Sequence, residues 1–91
     1  MKGEVWLYQG MSAWHFLTLP KKEAREIKEC FGAKKRGWGS LRVIAKIGKT
    51  EWKTSIFPDK RADSYLLPLK ADVRKKENVR EGDRVFFRVS L

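Results

Sequence analysis

Gly48 and Lys49 sit between two runs that alternate in polarity, residues 41–47 and 50–57. A two-residue connection of this kind closes a β-hairpin. Glycine at its first position suits a type II′ turn, because only glycine adopts that positive φ cheaply. Such a turn fixes the register: Ile47 faces Thr50, Lys46 faces Glu51, Ala45 faces Trp52, Ile44 faces Lys53 and Val43 faces Thr54. Strand alternation then sorts the side chains. Leu41, Val43, Ala45, Ile47, Thr50, Trp52, Thr54 and Ile56 share an apolar face that must be covered. Arg42, Ile44, Lys46, Glu51, Lys53 and Ser55 share a wet and mostly cationic one.

The remaining segments can supply the cover. Residues 4–9 alternate, with Val5 and Leu7 on one side and Trp6 and Tyr8 on the other, and residues 13–19 follow as a second strand after a break at Gly10. Trp14, Phe16 and Thr18 point one way along it, His15, Leu17 and Leu19 the other. Pro20 then opens a helix, since its missing N–H costs nothing in a first turn. Ala24, Ile27 and Phe31 form the inward stripe, and Gly32 caps the end. After the central hairpin, residues 58–63 read as a connection, 64–67 as a short strand ended by Pro68, and 70–76 as a short helix with Val73 inward. Residues 81–83 form a tight turn. Residues 84–91 read as the last strand, with Val85, Phe87, Val89 and Leu91 facing in and Arg84, Phe86, Arg88 and Ser90 facing out or toward a partner.

At 91 residues the chain makes one domain spanning 1–91, large enough to bury a core. Its 21 lysines and arginines against 11 acids leave a net charge of +10. That excess fits an anionic partner such as nucleic acid, and fits plain solubility as well. One cysteine, Cys30, rules out an intrachain disulfide, and with one histidine, His15, the set falls short of an ordinary zinc site. No metal or other cofactor is expected. No apolar run approaches the ~20 residues of a membrane span, and no signal-peptide order opens the chain, so the expectation is a cytoplasmic protein without a membrane partner. Acyl-transfer chemistry needs a nucleophile, a base and an orienting group within reach, and no spacing here provides them. Asp59, Asp63, Asp72 and Asp83 fall at turns or helix starts, where carboxylates commonly cap backbone N–H groups. The chain is therefore expected to be no enzyme, with no catalytic residues.

One plan is used twice. Residues 16–21, FLTLPK, lead into a helix carrying Arg25, then a glycine-containing loop and a strand; residues 65–70, YLLPLK, lead into a helix carrying Arg74, then Gly82-Asp83 and a strand. Two such halves can interlock their hairpins into one closed barrel, which removes exposed strand edges. The second half, LPLKADVRKKENVREGDRVFFRV, resembles the swapped-hairpin unit of AbrB-like transition-state regulators and related antitoxins. Across residues 5–89 the chain also resembles the bacterial and archaeal family of domain of unknown function 1905 (DUF1905). The carriers are Trp14-His15-Phe16 before Leu19-Pro20, Gly37-Trp38-Gly39-Ser40, residues 52–58 (WKTSIFP), residues 65–70, Val73-Arg74 and Gly82-Asp83. These resemblances imply a mostly β fold with little α: a double-split β-barrel of about six strands and one to two short helices, built from two pseudo-repeated strand–helix–strand halves. They bring no activity with them, although some relatives are fused to a domain associated with bacteriocin protection.

Two sets of residues are candidates for function. Lys34, Lys35, Arg36 and Trp38 in the loop before the hairpin, with Arg42, Lys46 and Lys53 on its outer face, form the candidate polyanion site. There Trp38 stacks on a base beside phosphate-binding cations, or else plugs the end of the barrel. The AbrB-like resemblance adds Arg25 and Arg74 as distant counterparts of DNA-contacting arginines. Trp38, Trp52, Thr54, Ser55 and Phe57 form the second set, lining a barrel mouth that takes a small ligand or a protein partner. The first expectation is thus a basic module that binds nucleic acid or another polyanion; the alternative is an accessory ligand- or protein-binding barrel. Either would be a monomer or weak dimer.

Overall fold

The computed structural model describes residues 1–8, 14–31 and 40–90, apart from the side chains of Cys30 and Phe31. The central hairpin is as the turn dictates. Strands β3 (Leu41–Ile47) and β4 (Thr50–Asp59) pair antiparallel from Ile47 opposite Thr50 to Leu41 opposite Ile56. Gly48 has φ +56°, and Lys49 is not among the residues with positive φ, as a type II′ turn requires. Leu41, Val43, Ala45, Ile47 and Ile56 are buried, whereas Arg42, Ile44, Lys46, Glu51, Lys53 and Phe57 are exposed.

The other strands close around this hairpin. Strand β1 (Lys2–Leu7) pairs with β2 (His15–Thr18), β2 with β5 (Ser64–Leu69), and β5 with β4. The last strand is split at Phe87 into β6 (Arg84–Phe86) and β7 (Arg88–Ser90). β6 pairs with β1 and β7 pairs with β3, so the sheet order is β6-β1-β2-β5-β4-β3-β7. The two ends of that order are one continuous run of chain, and this closes the barrel. At the split, the Phe87 N–H donates to the Met1 carbonyl at 2.8 Å, and the Met1 nitrogen donates to the Phe87 carbonyl at 2.9 Å. The expected continuous last strand is therefore interrupted at Phe87, where it passes from one neighbour to the other. Its alternation holds: Phe87 is buried, Val85 and Val89 are half-buried, and Arg84, Phe86, Arg88 and Ser90 are exposed. Leu91 lies outside the described residues.

The two halves correspond about a pseudo-twofold axis. Leu17 pairs directly with Leu67, and both are fully buried. Each is followed at the same interval by a helix, α1 (Lys21–Phe31) after Leu17 and α2 (Ala71–Lys76) after Leu67. Their first turns open alike, with the Ala24 N–H on the Pro20 carbonyl and the Arg74 N–H on the Lys70 carbonyl. Because β2 and β5 are antiparallel, the helices leave from opposite ends of the barrel. α1 buries Ala24 and half-buries Ile27; α2 buries Val73. The C-terminus of α2 is a Schellman motif around Asn78, at φ 53°: the Val79 N–H reaches the Arg74 carbonyl at 2.9 Å and the Asn78 N–H the Lys75 carbonyl at 3.3 Å.

Two prolines depart from expectation. Pro58 lies within β4, beyond the β3 pairing, where no neighbour among the described residues calls on its missing N–H. Pro68 does not end β5, which continues to Leu69. The Tyr65 carbonyl accepts the Leu19 N–H at 3.0 Å, so the backbone groups of Tyr65, Leu67 and Leu69 address β2, and those of Leu66 and Pro68 address β4. Pro68 thus keeps its pairing with Phe16 of β2 and withholds a donor from β4. The β4–β5 ladder accordingly stops at Phe57 opposite Leu66.

Candidate functional site

A groove opens where that ladder stops. It has a volume of about 560 Å³ and lies on the outer surface of the barrel. Pro68, Phe57 and Ile44 give it apolar walls, Arg42 and Lys53 contribute cations, and Ser55 and Ser90 contribute hydroxyls. Register explains why these residues meet. On the outer face, Ser55 stands opposite Arg42 in one row, Lys53 opposite Ile44 and then Ser90 in the next, and Glu51 opposite Lys46 and then Arg88 in a third. Rows are two residues apart, about 7 Å along a strand. Each row therefore carries at least one cation, and Glu51 is the single acid in the three.

Trp14 completes the groove from the far side of β5. Its ring is stacked on Phe16, with centroids 5.9 Å apart and planes at 24°. Phe16 in turn contacts Trp6 at 5.2 Å and Tyr8 edge-on at 6.2 Å, and the Trp6 indole N–H donates to the Thr18 hydroxyl at 2.9 Å. The Trp14 indole is thus backed by other rings although half its surface is exposed, at 50%. Phe57 is 43% exposed and Ile44 40%.

A second hollow adjoins the third row. Lys46, Arg88, Phe86 and Gly48 border it, and Phe86, 72% exposed, carries the Lys2 ammonium 5.2 Å from its ring centroid. Lys46 and Arg88 stand directly opposite each other across the β3–β7 ladder. Like charges so placed are unfavourable in a sheet.

Of the residues singled out in the sequence, Arg42, Lys53, Thr54, Ser55 and Phe57 come together at the groove. Lys46 shares their sheet and borders the neighbouring hollow. Trp52 does not join them. It stands opposite Ala45, points into the barrel, and packs half-buried against the core; its indole nitrogen is buried without a hydrogen-bond partner among the described residues. Trp52 shares the inward face with Thr54 and Ile56, but of these only Thr54 lies in the rows that border the groove. Lys34, Lys35, Arg36 and Trp38 lie outside the described residues, so their place relative to the groove is not part of this geometry. Arg25 and Arg74 are not at the groove: Arg25 lies on α1 beside Asp63, and Arg74 lies on α2 with its guanidinium 3.5 Å from His15 Nε2.

Trp14, Ile44, Pro68 and Ser90 were missed as site residues. Alternation puts Trp14, Ile44 and Ser90 on outer faces, but only the β2–β5 and β3–β7 pairings bring them to the same place. Two of the four aspartates bond backbone N–H groups at turns: Asp59 accepts the Arg61 N–H at 3.1 Å and Asp83 the Arg80 N–H at 2.9 Å. Among the described residues no group of three or more His, Cys, Asp or Glu side chains gathers as a metal site would need, and no helix is long and apolar enough to cross a membrane.

A family model described as "Domain of unknown function (DUF1905)" matches residues 2–89. No curated protein matches the chain.

Proposed function

The chain belongs to the DUF1905 family, and from that premise, which carries no assigned role, we propose that it is a non-enzymatic cytoplasmic module that binds nucleic acid through the outer face of β3, β4 and β7. The observation that supports this reading is the set of three rows bearing Arg42, Lys53, Lys46 and Arg88 against the single acid Glu51. Lys46 opposite Arg88 is a repulsive pair in the free protein, and a bound phosphate would turn it attractive. The net charge of +10 supplies long-range attraction to the same kind of partner.

The test is binding of labelled oligonucleotides across a salt series. Four phosphate contacts give a slope of log K against log salt of about −3 on a single strand, and each of Arg42→Gln, Lys53→Gln and Lys46→Gln lowers that slope by about 0.7. Affinity that is absent, or indifferent to salt, would sink the reading.

A second reading is favoured by the apolar walls of the groove at Ile44, Phe57 and Pro68: an accessory barrel that holds a small uncharged ligand. Its binding would hold steady across the same salt series.

A further inference from the structure

We infer that the groove beside Pro68 takes unpaired bases, so that the nucleic acid this protein binds is single-stranded. The inference rests on the nucleic-acid reading above and adds which form of the polymer the site accepts. Phosphate contacts alone do not distinguish duplex from single strand. Exposed ring faces do, because the faces of paired and stacked bases are hidden inside a duplex.

Two exposed rings, Trp14 and Phe57, border the same groove as Arg42 and Lys53. Trp14 is held by its stack on Phe16, so little side-chain freedom is lost when a base packs on it. The volume of about 560 Å³ falls within the usual range for small-molecule sites and so admits a flat nucleobase. The cations do not stop at the groove. They continue row by row to Lys46 and Arg88, and beyond Arg88 stands the exposed ring of Phe86. Aromatic groups at both ends of a line of cations match a strand with several phosphates better than one nucleotide.

The experiment uses the full chain with four probes: a fluorescein-labelled oligothymidylate of about ten nucleotides, a length such sites cover; the same strand annealed to its complement; heparin; and thymidine monophosphate. Trp14→Ala and Phe57→Ala are compared with Arg42→Gln, and each variant is first checked for an unchanged melting temperature. The expected result is tighter binding of the single strand than of the duplex, with the preference lost in Trp14→Ala and strand affinity lowered about tenfold by either ring deletion. Heparin affinity should fall in Arg42→Gln and stay level in the ring variants. Equal binding of strand and duplex, both indifferent to Trp14→Ala, would overturn the inference and leave the charge-based reading standing. Monophosphate binding as tight as the strand would overturn it in favour of a free nucleotide. Failure of every probe would remove both readings together.

Discussion

Gly48 shows how much a single position can carry. Its φ of +56° already disfavours any other residue. In addition, a Cβ there would run into the Glu77 carboxylate, which is held in place by the Thr50 hydroxyl at 2.6 Å. The turn and the C-terminus of α2 are thereby fastened to each other. Gly48→Ala is expected to cost about 1–3 kcal/mol, from the strained turn and the displaced carboxylate. In a Glu77→Ala background the collision is gone, so the added cost of Gly48→Ala should be smaller; urea denaturation of the four proteins in the cycle measures the difference. If the two substitutions prove additive, the added Cβ does not meet the Glu77 carboxylate. Ser64 is a quieter case. It is a buried polar side chain in the core, and its hydroxyl donates to the Leu19 carbonyl at 2.6 Å, joining the start of β5 to the end of β2.

Among the elements, the register of the β3–β4 hairpin was legible, because a two-residue turn with glycine leaves one register and alternation does the rest, whereas the run of β4 through Pro58 to Asp59 was not. The helix α2 was legible from its spacing, and Asn78 and Val79 close it. For β5 the start at Ser64 was legible and the end was not, because a proline inside a run reads as a stop unless it is known which neighbour would have used its N–H. That neighbour is set by pairing across the whole sheet, which no local pattern encodes. The same holds for the groove: the residues on β3 and β4 could be named from the turn, whereas Trp14 and Pro68 arrive through the pairing of β2 with β5. This pairing is the one to probe. Leu17→Ala and Leu67→Ala should each cost about 2–5 kcal/mol. As direct partners they should also couple, by about 0.5–3 kcal/mol in a double-mutant cycle. Independent effects would mean that the two leucines do not share a packing site.

On the scale of the whole molecule, the last strand ties the halves together. A strand of the second half, it pairs through β6 with β1 and through β7 with β3, both of the first half, with Phe87 between them in the core. Neither half retains a complete set of neighbours without the other. Unfolding should therefore be a single transition, with tryptophan fluorescence and far-ultraviolet circular dichroism coinciding through a urea titration. Separate midpoints would show that the halves melt independently. The axis through Leu17 and Leu67 also bears on recognition. A true homodimer with this axis would have to display every surface feature twice. A single chain is released from that obligation, and this one has used the release: the position that matches Trp14 about the axis is Ser64, buried and without a ring, and the one that matches Phe16 is Leu66. The barrel is near-symmetric inside and lopsided outside. On the proposed function, a strand meets a groove with no symmetry-related copy at the matching positions, so each molecule should bind it once and in a single direction.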